Sequence, residues 1–290
     1  MNIKKITFDM VRKNFSKREK FSHKGTYGTL CMVCGSYKMP GAAIMAGKSA
    51  LRCGVGKLNM CIPKSIYKAA SSNLIEPIFT CLEEKKSGSL SSKCIKKLND
   101  SLKNSTACLI GCGLSNNSDV KKIVLNVLKN YDGCILLDAD GINAISNNIN
   151  VLKATNSKVI LTPHPGEMAR LLKLDTNYIN HNREDIARKF ALDNGVILVL
   201  KGADTVIAME DGTLFKNTTG NPGMARSGMG DVLSGMIGAF LAQGMNPIDA
   251  AISGVFLHGF AGDICKEKYS EISMSTIDLI NELPSIFLNL

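Results

Sequence analysis

The sequence predicts a single α/β domain built on a largely parallel sheet. Short runs that are apolar along their whole length recur through the chain, as expected of strands covered on both faces, with longer helical patterns between them. No repeat, low-complexity tract or linker rich in Pro, Gly or Ser divides the 290 residues; "KKSGSLSSK" at 85–93 is the best break and sits inside the same alternating series.

In chain order, strands are expected at 29–35 ("TLCMVCG"), 58–62, 107–111, 134–138 ("CILLD"), 158–162 and 196–200. Helices are expected between them at 41–53, 92–103, 118–130 (opened by the N-cap-rich "SNNSDV") and 182–194. The pattern then changes. "TVIAMEDGTLFKN" places Asp211–Gly212 between two β-prone runs and reads as a hairpin. Apolar helices follow at 231–243, 247–268 and 276–288. In such sheets ligands bind outside the carboxyl ends of strands, and every unusual motif falls at such an end.

Composition bounds the function classes. Ten cysteines lie scattered in apolar runs, where Cys acts as a small hydrophobe in a reducing compartment. Cys31 and Cys34 form a C-x-x-C, but on a strand their side chains point to opposite faces and cannot share a metal. The net charge of +10 comes from dispersed lysines and arginines, with aromatics at 6% and no Trp, so a nucleic-acid surface is poorly supplied. A basic surface around a site for phosphorylated small molecules explains the charge as well. The N-terminal stretch lacks the apolar core of a signal peptide, and no run of eighteen apolar residues appears. A cytoplasmic protein is expected.

The segment 218–235, "TTGNPGMARSGMGDVLSG", concentrates glycine ahead of an apolar helix. A helix starting near Asp231 leaves its first N–H groups without intrahelical partners, and its dipole favours an anion there. Gly228 and Gly230 let backbone approach closely, so Gly228, Met229 and Gly230 form a candidate oxyanion pocket. Asp231 beside it suits a base that deprotonates an attacking hydroxyl, or else simply caps the helix.

"GAAIMAGKS" at 41–49 looks like a P-loop, but Gly41 and Gly47 enclose five residues instead of four, and the stretch continues as one amphipathic helix. What remains is a Gly/Pro turn opening a helix near Gly41 and Ala42. "LTPHPGEMARLL" frames His164 between prolines at a strand end, as a ligand contact or a sheet-edge cap, and Glu167 opens the next helix. "VLKGADTVIA" puts Lys201 and Gly202 at a strand tip, where a lysine meets phosphate as a point charge or lies solvated. "IGCGLSNN" is a further glycine-bearing strand end containing Gly113.

Together, in this order, "HKGTYGTLCMVCGS", "MPGAAIMAGKSALRCGVGKL", "LDADGINAI", "LTPHPGEMARLL", "LVLKGADTVIA" and "TTGNPGMARSGMGDVLSG" resemble the ADP- or ATP-dependent NAD(P)H-hydrate dehydratases of ribokinase-like fold. The resemblance runs from about residue 22 to 263. It implies repair of hydrated NADH and NADPH with ADP (or ATP) as phosphoryl donor and Mg²⁺. Phosphorylation of the ring hydroxyl is followed by loss of phosphate, giving AMP when ADP is the donor.

By the same resemblance, Asp231 is the base and the amides around Gly228, Met229 and Gly230 hold the phosphoryl group. Lys201, Gly202, Ala203, Asp204, Thr205 and Gly230 would hold the adenine nucleotide. Ala42, Gly113, His164 and Asp231 would hold the hydrate, and Glu167 would organise magnesium. Met229 stands where the family commonly has Thr, "ARSG" where Thr–Gly is frequent, and Cys112 where Pro is usual.

The resemblance also implies a single domain over 1–290 without the N-terminal epimerase domain of some relatives, acting on the S epimer as a homo-oligomer, a tetramer by family habit. The alternative is a small-molecule kinase of the same fold acting on a vitamin precursor. That enzyme would share the pocket and base yet release a phosphorylated product. A non-catalytic nucleotide sensor would bind nucleotide without turnover. A nucleic-acid binder would survive loss of Asp231 and weaken steeply with salt.

Overall fold

A computed structural model describes residues 3–290; Met1 and Asn2 of the expected 1–290 domain lie outside the described residues. Its ten strands form one sheet. The centre consists of β2 (Thr29–Val33), β3 (Lys57–Pro63), β5 (Ala107–Ile110), β6 (Cys134–Leu137), β7 (Val159–Leu161) and β8 (Ile197–Leu200). These are the six expected strands, each within two residues of its expected bounds. The sequence pattern did not announce β1 (Ile3–Lys5) and β4 (Ile78–Leu82), which occupy the two edges. Edge strands lack the continuous apolar signature because one flank faces solvent, and Ile78 is exposed.

The order is β1-β10-β9-β8-β7-β6-β5-β2-β3-β4, where β9 (Val206–Ala208) and β10 (Leu214–Lys216) are the expected hairpin. β9 pairs antiparallel with both β8 and β10; every other pairing is parallel. In the hairpin turn Gly212 has φ +82°, and Asp211 Oδ1 accepts from Thr213 N at 2.8 Å.

Side chains alternate between two cores, one on each face. Leu30, Met32, Leu109, Leu136, Ile160 and Val199 pack under α2 (Pro40–Arg52), α10 (Met229–Ala242), α11 (Pro247–Ser273) and α12 (Thr276–Phe287). Short helices α1 (Phe8–Arg12) and α3 (Tyr67–Asn73) join this face. Cys31, Val33, Ile110, Leu137, Leu161 and Leu198 pack under α4 (Ile95–Leu102), α5 (Ser118–Asn130), α6 (Asp140–Ile145), α7 (Pro165–Leu172), α8 (Thr176–His181) and α9 (Arg183–Asn194). Cys31 and Cys34 thus belong to opposite cores, as the strand argument requires. All ten cysteines are free, eight of them buried and two, Cys81 and Cys134, partly exposed.

α11 is long and apolar enough by composition to cross a membrane, yet 72% of its most apolar window is buried in the fold. It is the core helix of this face. Its expected end at 268 falls just before a break at Ser270 (φ +66°), beyond which one further turn follows. α2 contains Gly47 and Lys48 in mid-helix, which removes the P-loop.

α2 and α10 approach so closely at Gly235 that an added Cβ would collide with Ala46 O and Ser49 Oγ. Ser49 Oγ uses that proximity to donate to Val232 O at 2.9 Å. Gly235→Ala is expected to cost about 1–3 kcal/mol by overpacking, read as a fall in the urea midpoint; an unchanged midpoint would contradict this close approach.

Candidate active site

The carboxyl ends of β8, β7, β6, β5 and β2 lie side by side, so Lys201, Thr162, Asp138, Cys112 and Cys34 form a row. At its centre Asp138 is 1% exposed. Its Oδ1 accepts from Lys201 Nζ at 2.7 Å and from Thr162 Oγ1 at 2.8 Å, and the Cys112 thiol approaches Oδ2 at 3.6 Å. Burial alone would push this carboxyl up, but the Lys201 ammonium and these donors hold it below the usual range. Lys201 in turn is raised: burial disfavours its charge, but Asp138 and Glu167 outweigh burial. The solvated-lysine alternative for Lys201 is therefore excluded.

The backbone accommodates this row by unusual geometry. Ala139, between Asp138 and Asp140, takes φ +47° and ψ −114°. Gly111 has φ +139°, and a Cβ there would strike Asp138 O. Gly113 lies against α2, where a Cβ would sit 2.8 Å from the Ala42 side chain, so the two expected hydrate contacts are neighbours.

α10 starts at Met229, with Gly228 (φ +92°) as its N-cap and no side-chain cap. Asp231 is therefore not the cap; it is the third helical residue. The first intrahelical bond is Val232 N to Gly228 O at 3.0 Å, and Met229 N reaches back weakly to Arg226 O at 3.4 Å. The amides of Gly230 and Asp231 lie ahead of the ladder and present the anion site. Only Gly228 takes positive φ; Gly230 is helical. Its lack of a side chain serves Lys201, whose Nζ lies 3.3 Å from where a Cβ would stand.

Asp231 projects toward the row: its carboxylate, that of Asp138 and Cys112 Sγ have donor atoms within 4.8 Å of one another. Burial, reinforced by the Asp138 charge, pushes Asp231 up to about 6, against pulls from Cys112 and Lys201. A base poised there is mostly charged at neutral pH and still basic enough to take a hydroxyl proton.

His164 proves to be the N-cap of α7. Its Nδ1 accepts from Gly166 N (3.0 Å) and Glu167 N (3.4 Å), while Glu167 Oε2 accepts from His164 N at 2.9 Å. Because Nδ1 is an acceptor, the neutral ring carries its proton on Nε2, which lies 3.5 Å from Glu167 Oε1 in a half-exposed side chain. Burial, Lys201 and Arg170 lower its pKa. Glu167 is 5% exposed, lies 3.9 Å from Lys201 Nζ and is raised by burial against the pull of that lysine.

The segment Gly202–Thr205 leaves β8 through Gly202 (φ +142°) and is braced by Arg183, which donates to Leu200 O at 2.8 Å and Ala203 O at 2.9 Å. A cavity of about 620 Å³ beside this segment is lined by His181, Arg183, Ala203, Asp204 and Lys216, and Asp231 is not among its lining residues. Sequence reasoning assigned no role to Asp138 or Thr162. The signal for Asp138 was an all-apolar run ending in "DAD".

A family profile described as NAD(P)H-hydrate dehydratase matches residues 30–285. The chain belongs to the NAD(P)H-hydrate dehydratase family. It is 37% identical over 289 residues to the bifunctional NAD(P)H-hydrate repair enzyme of Moorella thermoacetica, covering 100% of this chain and 54% of that one. The chain spans about half the length of such bifunctional relatives. It is 35% identical over 293 residues to the ADP-dependent (S)-NAD(P)H-hydrate dehydratase of Bacillus subtilis, covering 99% of each. The crystal structure of the Bacillus subtilis ADP/ATP-dependent dehydratase, co-crystallised with ATP/Mg²⁺, superposes with a TM-score of 0.87 at 32% identity, covering 100% of this chain and 99% of that one. A ribokinase-like superfamily protein of Enterococcus faecalis shares the fold, with a TM-score of 0.84 at 23% identity over 99% of this chain and 96% of that one. The expected dehydratase family and ribokinase-like fold are both borne out.

Proposed function

We propose that this chain returns the S epimer of NAD(P)H hydrate to NAD(P)H at the expense of ADP, giving AMP and phosphate. The observation that carries the reading is Asp231, a carboxylate held at about 6, beside free helix-end amides and the Lys201–Asp138 pair. Hydroxide is a poor leaving group. Asp231 takes the proton of the ring hydroxyl as its oxygen attacks the donor's terminal phosphorus. The amides of Gly230 and Asp231, with Lys201, hold the charge on the transferred group; preorganised donors of this kind are usually the largest catalytic contribution. The ring nitrogen lone pair then expels phosphate, and the neighbouring ring carbon gives up a proton as the double bond returns.

In this proposal the backbone from Lys201 to Thr205, with Gly202, Ala203 and Asp204, carries the adenine nucleotide toward Gly230, and Ala42, Gly113 and His164 receive the hydrate. Asp138, Glu167 and Asp231 set three carboxyl groups against one lysine. Such an oxygen-rich, acid-heavy corner fits Mg²⁺ brought in on nucleotide phosphates, with Glu167 organising it. The ion would supply charge neutralisation on those phosphates.

Hydrate incubated with the chain, Mg²⁺ and either ADP or ATP should regain the absorbance of NAD(P)H. A stable phosphorylated product would identify a kinase instead, and no recovery with either nucleotide would reject the reading. His164→Ala should raise the KM for hydrate more than that for nucleotide. The reverse order would mean the two pockets are exchanged.

A cytoplasmic location and a homotetramer belong to the same proposal. The ten free thiols support a reducing compartment. Exposed Ile272, Ile277 and Leu288 on and beside the last helices support assembly.

A further inference from the structure

We propose that Cys112, Asp138 and Asp231 together seat a borderline-soft divalent cation of the zinc class, and that its binding shuts the active site. Their donor atoms lie within 4.8 Å of one another on three separate elements: the ends of β5 and β6 and the first turn of α10. A zinc ion with a sulfur ligand at about 2.3 Å and an oxygen at about 2.0 Å, set at the tetrahedral angle, holds those two atoms about 3.5 Å apart. Cys112 Sγ and Asp138 Oδ2 are 3.6 Å apart. That pair needs little movement.

A second observation points to the same place. Ser234, one helical turn beyond Asp231, is fully buried near the Asp138 carboxylate, whose charge it helps to hold, yet its hydroxyl has no partner within ordinary hydrogen-bond distance. An orphaned oxygen in a wholly buried position is what a fourth ligand, or a ligand-bound water, would satisfy. Asp138 is also predisposed to share itself. Lys201 and Thr162 occupy Oδ1, leaving Oδ2 to face the thiol.

The ligand set selects among ions. Mg²⁺ takes oxygen donors and rejects thiols, whereas zinc, cobalt and cadmium accept a mixed sulfur–oxygen set. Seating the ion breaks the Cys112 S–H bond, forms the metal–sulfur bond and releases the proton to solvent, with no change of oxidation state. Once bound, the ion occupies the Asp231 oxygen that must accept the hydroxyl proton. The seating rests on donor geometry alone; the inhibition also rests on the dehydratase reading.

The test titrates the metal-free chain, without nucleotide, with Co²⁺ as spectroscopic probe and then displaces it with Zn²⁺. The wild type should take one equivalent with a thiolate-to-cobalt charge-transfer band in the near ultraviolet. Cys112→Ser and Cys112→Ala should each lose that band and bind at least tenfold more weakly. Asp231→Asn should keep the band and bind about tenfold more weakly, which keeps the test decisive if either Cys112 variant fails to fold. No band in the wild type, a band persisting in the Cys112 variants, or unchanged affinity in Asp231→Asn would each overturn the site.

In the activity arm, the Zn²⁺ concentration giving half inhibition of the wild type should match the spectral affinity. Inhibition without spectral binding would overturn the coupling. If the chain turns over no hydrate, the spectral arm still decides the site.

Discussion

Asp231→Asn should lower turnover by about three orders of magnitude while raising the melting temperature at pH 8. The first half follows from the role of a positioned base, which contributes about 10²–10⁴-fold. Asparagine keeps the shape and the helix, so nucleotide binding should survive. The second half follows from linkage. A carboxyl held at about 6 instead of its usual 3.8 binds its proton more tightly folded than unfolded, so ionising it costs the native state about 3 kcal/mol above pH 6. The stability of the wild type should therefore rise as pH falls from about 6 toward 4, and the advantage of the variant should vanish below that range. Thermal melts of both proteins from pH 4 to 8 measure this directly. Unchanged turnover would remove Asp231 as the base; parallel melting curves would remove its strain.

Lys201→Met should be damaging in both respects. It strips the partner from Asp138, which is 1% exposed, and leaves Asp138 and Glu167 facing each other's charge. Breaking a buried pair by removing one member costs about 3–5 kcal/mol. The sign here is opposite to that at Asp231. Asp138 sits below its ordinary value because of the lysine, so the stabilisation it contributes is complete above about pH 4 and lost as pH falls through its native value. The melting temperatures of wild type and Lys201→Met should lie furthest apart near pH 7 and draw together in acid. Turnover should fall with it, because a fixed cation leaves the phosphoryl corner. A variant as stable as wild type at pH 7 would show that the lysine faces solvent, contrary to its 2.7 Å bond.

The sequence pattern disclosed the elements whose signals are local and strong. α5 matched its expected bounds to the residue because Asn117 accepts from Asp119 N and Val120 N as the N-cap. The central strands were legible because both faces are buried. Edge strands β1 and β4 were not, since partial exposure erases the apolar run. The short helices α6 and α8 fell below the length at which periodicity speaks. In the site, Asp231 was visible from its glycine setting and Lys201 from its strand tip. Their true company was not: the Asp138–Lys201 pair joins residues 63 positions apart and depends on strand order, which no local pattern encodes. His164 was visible as a framed polar residue, and its helix-capping became clear only from the ring geometry.

The eight enclosed thiols give the chain a built-in gauge of its own opening. A sulfhydryl reagent added to the native protein can reach only Cys81 and Cys134 without disturbing the fold. Labelling beyond two groups must wait for the layers to separate. Counting modified groups against time by mass would thus resolve local fraying from global unfolding, with the slow phase reporting the population of the opened molecule.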